Sequence, residues 1–326
     1  MRVLSMRDAI CEAMRQEMRR DPAVLLIGQD VGVYGGPLKT SRGLIEEFGE
    51  GRIVETPICE QTMVGMGVGA ALMGYRPIVE IMFMDLTALA MDQIVNHAAK
   101  MRYLCGGGAG APMVIRTAAG VGFGHGVHHS QSFEAWFIHV PGLKVVMPVT
   151  PYEAKGMLAS AIRDPDPVLF LEHKRLYATK GPVPEEEYTL PLDRAEIKRE
   201  GSDATIVAHG LMVSAALDAA EELGKRGIAA EVVDLRSLSP LDRETILGSV
   251  RKTGRLVVAH EAWKTGGVGA EVAALVAEEA LPYLDAPIRR VAAPHAHVPY
   301  PPSLEEIYLP NSQDIEQAVE SAFGAA

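Results

Sequence analysis

Cysteine is scarce in this chain of 326 residues: Cys11, Cys59 and Cys105 are the only three, odd in number and far apart. Such usage supports neither a disulfide framework nor a metal knuckle, and it reads as a reducing compartment. Basic residues are outnumbered, 31 Lys and Arg against 42 Asp and Glu, for a formal charge of -11. That balance argues against nucleic acid or a membrane surface as partner and leaves room for a basic protein. Long apolar runs are missing as well. The opening stretch MRVLSMRDAICEAMRQEMRRDP lacks the apolar core and small-residue cleavage site of a secretory signal. Its apolar positions Met6, Ile10, Ala13 and Met14 follow helical spacing. The expectation is a cytoplasmic protein that keeps an N-terminal helix.

What is present is a large apolar fraction, 48%, in a chain longer than a single core usually supports, so two domains are expected. Short β-branched runs alternate with amphipathic stretches. AVLLIG (23–28), RPIVEIMF (76–83), APMVIRT (111–117), LKVVMPV (143–149) and PVLFLEH (167–173) read as buried strands. Helical patterns lie between them, among them 86–104 and 151–164. The rhythm predicts an α/β fold: two domains with mostly parallel sheets flanked by helices. Proline and glutamate crowd the region after residue 180, and the strand-helix rhythm restarts at ATIVAHG (204–210). The domains are therefore expected at 1–190 and 204–326, with a linker over 191–203.

Two stretches carry candidate chemistry. In RIVETPICEQTMVGMGVGAALMG (52–74), Glu60 stands between a strand and a helix expected over about 61–73. Gly65, Gly67 and Ala70 spell G-x-G-x-x-A, with Glu80 closing the next strand, as in a dinucleotide-binding turn. The spacing is poor for that role, because four residues separate Glu60 from the first glycine and the helix is short. Gly65, Gly69 and Ala70 instead form a small-residue face for close approach of another backbone. Glu60 itself reads either as a favourable charge at a helix start or as a functional carboxylate at the ligand-binding edge of an open sheet.

The second stretch, AGVGFGHGVHHSQSFEAWFIHVPG (119–142), places His125, His128 and His129 in a glycine-rich loop ahead of an aromatic helix. Three histidines so close invite a metal, but glycines at 120, 122, 124 and 126 do not hold ligands convergent. Delivery of one imidazole for proton transfer near neutral pH suits the loop better.

These two stretches, with MDQIVNHAAKMRY, GLKVVMP and SAIRDPDPVLFLEH, resemble the β subunit of the thiamine-diphosphate-dependent component of 2-oxo acid dehydrogenase complexes, the acetoin dehydrogenase branch included. The similarity runs from the first helix to about residue 315. It implies a transketolase-like pyrimidine-binding domain and a transketolase C-terminal domain. It also implies roles for residues. Glu60 would hydrogen-bond the cofactor aminopyrimidine and act as a proton relay. His129, in the HSQ motif, would transfer protons at the bound cofactor and in handing the acyl group to a lipoyl arm. His125 and His128 would be loop residues near the substrate. Leu86 falls where the family often has an aromatic beside the pyrimidine. In SAIRDPD the carbonyls of Ala161 and Ile162, with Asp164 and Asp166, resemble a potassium site.

One family element has no counterpart here: no G-D-G is followed at about thirty residues by Asn, and GQD at 28–30 is not that motif. Magnesium and the diphosphate are expected on an α subunit. The resemblance thus implies an α2β2 heterotetramer that passes acyl groups to the lipoyl domain of a dihydrolipoamide acyltransferase core, with pyruvate the first choice of substrate. Acetoin and branched-chain 2-oxo acids are the alternatives. A non-catalytic structural or regulatory subunit is the reading of another class.

Overall fold

The computed structural model describes residues 2–324. They form two compact units, one of residues 2–119 and 136–192, the other of residues 120–135 and 193–324. The histidine loop thus groups with the second unit although the chain before and after it belongs to the first.

In the first unit β1 (Arg2–Ser5) leads into α1 (Met6–Arg20), capped by the Ser5 side chain, which accepts the Asp8 amide. There follow β2 (Val24–Gly28), α2 (Leu44–Phe48), β3 (Ile53–Glu55), α3 (Glu60–Leu72) and β4 (Arg76–Phe83). After α4 (Met101–Leu104) come β5 (Val114–Ala119), α5 (Glu134–Ile138, its first two residues belonging to the second unit), β6 (Lys144–Val146), α6 (Pro151–Arg163), β7 (Val168–His173) and β8 (Lys180–Val183). The central sheet runs β6-β7-β5-β4-β2-β3 with every pair parallel. Its strands are apolar on both faces, as a parallel sheet covered by helices requires; β5 and β7 are buried throughout. A separate antiparallel pair, β1 with β8, was not legible as strands in the sequence.

The expected helix over 86–104 is instead three pieces: a 3₁₀ segment Met84–Ala90, a π segment Gln93–Ala98 and α4. The Thr87 hydroxyl donates to the Met84 carbonyl at 2.5 Å, which favours the tighter turn.

The second unit contains β9 (Glu196–Arg199), β10 (Ala204–Ala208), α7 (Met212–Lys225), β11 (Ala230–Asp234), β12 (Ser237–Ser239), α8 (Arg243–Thr253), β13 (Leu256–Trp263), α9 (Val268–Glu279), β14 (Arg289–Ala293), α10 (Pro302–Tyr308) and α11 (Ser312–Ser321). Its sheet order is β14-β13-β10-β11-β9, parallel except for β9. Strand β9 corrects the expected linker over 191–203. Glu196–Arg199 pairs antiparallel with β11, an edge position that its partly exposed, charged side chains can occupy. No helix among the described residues is long and apolar enough to cross a membrane.

Candidate functional site

The sequence places Glu60 at a strand-helix junction, and the structure makes it the first residue of α3. Cys59, the N-cap, has non-helical backbone angles (φ -163°, ψ 81°) and no capping side-chain bond. A carboxylate at that point is favoured by the unsatisfied amides of the first turn. Glu60 is nonetheless 5% exposed, and among the described residues nothing hydrogen-bonds its side chain. A shielded carboxylate without a protein partner is the form expected of one that receives a ligand group.

The glycines behind it lie in mid-helix rather than in a turn, which removes the dinucleotide reading. Glu80, the acid that reading needed, is buried and paired with Arg116 at 2.7 Å. The close approach falls at Gly67, where an added Cβ would stand 2.7 Å from Val79 Cγ2 and Met113 Cε, whereas nothing lies within 4 Å of one at Gly69. The small face expected at Gly65, Gly69 and Ala70 is thus not what packs on the sheet. Helix α3 also contacts the Met84–Ala90 segment that carries half-buried Leu86, bringing Glu60 and Leu86 onto adjoining elements.

Strands β4, β5 and β7 carry a charged network that the sequence did not reveal. Arg116, 1% exposed, binds Glu172 through Nε at 2.7 Å and Nη2 at 2.9 Å, and Glu80 through Nη1. Tyr177 donates to Glu172 at 2.6 Å and Thr40 to Glu80 at 3.2 Å. Burial would lower the guanidinium, but Glu172 and Glu80 hold it above its ordinary value.

The histidine loop is built within the second unit. Its ends meet where Gly120 donates to the Gln131 carbonyl at 3.3 Å. Gly124 and Gly126 have φ of +68° and +67°, and a Cβ on Gly126 would lie 2.3 Å from the Tyr300 ring, so this turn needs glycine. Residues Gly126–His128 form one 3₁₀ turn that leaves His128 exposed and His125 and His129 half-buried. The Val121 amide donates to Glu261, and the Phe133 ring meets Trp263 at 6.1 Å. At the loop's end Glu134 Oε1 is 3.1 Å from His209 Nε2. The three histidines form no metal group: among the described residues no cluster of three or more His, Cys, Asp or Glu could hold an ion. Glu60 and Leu86 belong to the first unit and His129 to the second.

The potassium donors are already engaged. The Asp164 carboxylate takes Lys144 Nζ at 2.7 and 2.5 Å, and Asp166 pairs with Arg102. The Ile162 and Asp164 carbonyls accept from Arg76 at 3.0 and 3.2 Å, and the Ala161 carbonyl accepts the Asp164 amide. Arg76, Lys144 and Arg102 thus engage oxygens of Ile162, Asp164 and Asp166, while the Ala161 carbonyl takes a backbone amide. The cysteines are all free; Cys11 is buried, and Cys59 and Cys105 are exposed.

Family comparison matches residues 2–180 to the transketolase pyrimidine-binding domain and residues 193–315 to the transketolase C-terminal domain. A solved structure titled split gene transketolase, inactive beta4 tetramer, superposes with a TM-score of 0.81 at 26% identity, covering 99% of each chain. These define a two-domain chain of transketolase type. The chain is 48% identical to the acetoin:2,6-dichlorophenolindophenol oxidoreductase subunit beta of Bacillus subtilis (strain 168), over 96% of this chain and 95% of that one. It is 48% identical to the 2-oxoisovalerate dehydrogenase subunit beta of the same organism, over 98% of each. To that organism's pyruvate dehydrogenase E1 component subunit beta it is 47% identical, over 96% of each. The chain belongs to this family of thiamine-diphosphate-dependent dehydrogenase β subunits.

Proposed function

We propose that the chain is the β subunit of an α2β2 2-oxo acid dehydrogenase, cytoplasmic, with pyruvate the first choice of substrate, which passes its acyl group to a lipoyl group on an acyltransferase core. The observation that carries the reading is the shielded, unpartnered Glu60 carboxylate at the start of α3, inside the stretch that matches the pyrimidine-binding domain.

The residues present fit a thiamine pyrimidine: Glu60 supplies a protected carboxylate and the Leu86 segment an apolar neighbour. When bound, thiamine diphosphate supplies a carbon nucleophile and an electron sink. Glu60 holds a proton on its carboxyl oxygen against a ring nitrogen, a sharing favoured by partial exclusion of water. Leu86 would contact the ring by dispersion alone, where an aromatic would add stacking. His129, on its anchored loop, gives a proton to the sulfur released as the lipoyl dithiolane opens. Magnesium and the diphosphate are assigned to the α subunit.

Relatives named for acetoin, branched-chain and pyruvate substrates stand at 47–48% identity, so acetoin is retained as the second reading. Glu60→Gln tests the proposal. In enzyme reconstituted with an α partner it should assemble normally yet lose decarboxylation by at least roughly 10²–10⁴-fold, the usual worth of a general acid-base step. The assay is reduction of 2,6-dichlorophenolindophenol with pyruvate, 3-methyl-2-oxobutanoate or acetoin. Near-normal rates would return Glu60 to the role of a helix-start charge and leave the chain a structural or regulatory subunit.

A further inference from the structure

Three buried titratable side chains of the second unit stand outside the roles given so far. Glu134 and His209 are 2% and 3% exposed, and His260 is fully buried. Glu134 ends the histidine loop, five residues after His129, and His209 directly follows β10. The His260 ring, on β13, stacks against His209 with centroids 5.9 Å apart and planes 17° from parallel. Glycine makes room for it: a Cβ on Gly267 would lie 2.6 Å from His260 Cε1, and one on Gly269 2.8 Å from His260 Cδ2 and Nε2.

A carboxylate in such surroundings is costly unless paired. His209 is the one side-chain partner of Glu134 among the described residues. An ionised carboxylate only accepts, so His209 must donate through Nε2–H. Its Nδ1 makes no hydrogen bond. Before His129 the loop is anchored by Val121 on Glu261 at its entrance and by Gly126 under Tyr300 in its middle. After His129 the chain is held by the Gly120–Gln131 hydrogen bond, by the Phe133–Trp263 contact and, at its end, by the Glu134–His209 link.

The geometry points to Glu134 and His209 as positioning residues for His129, pinning the exit of the loop to the end of β10 while His260 backs the His209 ring. This rests on the reading of His129 as the proton donor in acyl transfer. A misplacement of about 1 Å at a reacting group can cost about 10²-fold in rate.

The test uses reconstituted enzyme carrying His209→Leu, His209→Gln or His129→Ala, and the His129→Ala/His209→Leu double variant. Dye reduction and acyl transfer to a lipoyl domain are measured on each preparation, with amide exchange over residues 121–133. His209→Leu should lower lipoyl transfer about 10²-fold, spare most dye reduction, and accelerate exchange in the loop. It should add little to the loss caused by His129→Ala, because an absent imidazole cannot be misplaced. His209→Gln, whose amide can donate from near the Nε2 position, should restore both transfer and protection. Additive losses in the double variant, or equal losses in the two assays with unchanged exchange, would overturn the proposal. If His129→Ala fails to separate the assays, the reading of His129 itself falls; unaltered loop exchange in His209→Leu would then refute the pinning, and faster exchange would uphold it. Should His209→Leu not fold, Glu134→Ala removes the same link without leaving a buried charge and must give the same results.

Discussion

Arg116 and His260 show opposite solutions to burying an ionisable group. Arg116 keeps its charge because two carboxylates on neighbouring strands bracket it, and removing one partner of such a buried pair typically costs about 3–5 kcal/mol. His260 gives its charge up. Burial first, then the neighbouring His209, depress the imidazole to about 4 from an ordinary 6.5, while Glu134 and the Ala262 backbone pull weakly the other way. At pH 7 the ring is neutral both folded and unfolded. Between 6.5 and about 4 only the unfolded chain takes up the proton, so stability is full above the unfolded value and is lost as pH falls through that window. Going from pH 7 to 5 should therefore cost the second unit about 2 kcal/mol through this residue. Glu134, whose carboxyl is held low by His209 against the raising effect of burial, acts in the same direction but below its ordinary 4.5. Denaturant unfolding of wild type and His260→Leu at the two pH values checks the expectation. An identical pH dependence in both would show that His260 titrates normally.

Helix α3 shows how far a sequence pattern reaches and where it stops. Its position was legible because an apolar run, a charged start and the following glycine at 74 bracket it, and the observed Glu60–Leu72 differs by one residue at each end. Its packing was not, because the helix is apolar all round and has no amphipathic stripe to say which glycine faces the sheet. The structure assigns that role to Gly67. Gly67→Ala should destabilise the chain by about 1–3 kcal/mol, since Val79 is a short strand side chain that cannot swing away. Gly69→Ala, with open space around it, should instead stabilise by about 0.5–1 kcal/mol through the ordinary preference of helices for alanine. Thermal or denaturant unfolding of the two variants compares them directly, and the same sign for both would contradict the packing. The buried strands were legible for the reason α3's position was, since continuous β-branched runs bounded by turns have few other readings. Strands β1, β8 and β9 were not, because each is four residues long and partly exposed, held by pairing rather than pattern. At the site, Glu60 and His129 stood out in motifs, but His209 lies 75 positions from Glu134 and no local signal links them.

At the scale of the whole molecule the proposed carboxylate and imidazole are not accompanied by the family's diphosphate-binding element. The sequence has no G-D-G with its distant Asn, and no group of acidic or histidine ligands converges among the described residues. The first unit also leaves apolar side chains in solvent around α3: Met66 is 43% exposed, Leu72 44% and Met73 79%, with Ile58 before the helix at 69%. Exposed apolar side chains gathered along one helix suit a surface that a partner would cover. Both features would be met by the proposed α subunit, if it supplies magnesium and diphosphate ligands and seats against this face. The purified chain alone should then bind thiamine diphosphate with magnesium weakly or not at all, because a pyrimidine contact without the diphosphate forfeits the charge-assisted part of the binding energy. Adding the α partner should bring a site into range and make complex formation tighter in the presence of cofactor, since a ligand held by both chains binds only their assembly. Calorimetry of the chain with and without its partner reads both effects. A micromolar site on the chain alone would mean that it holds diphosphate through residues outside the family pattern, and the division of the active site between two chains would have to be abandoned.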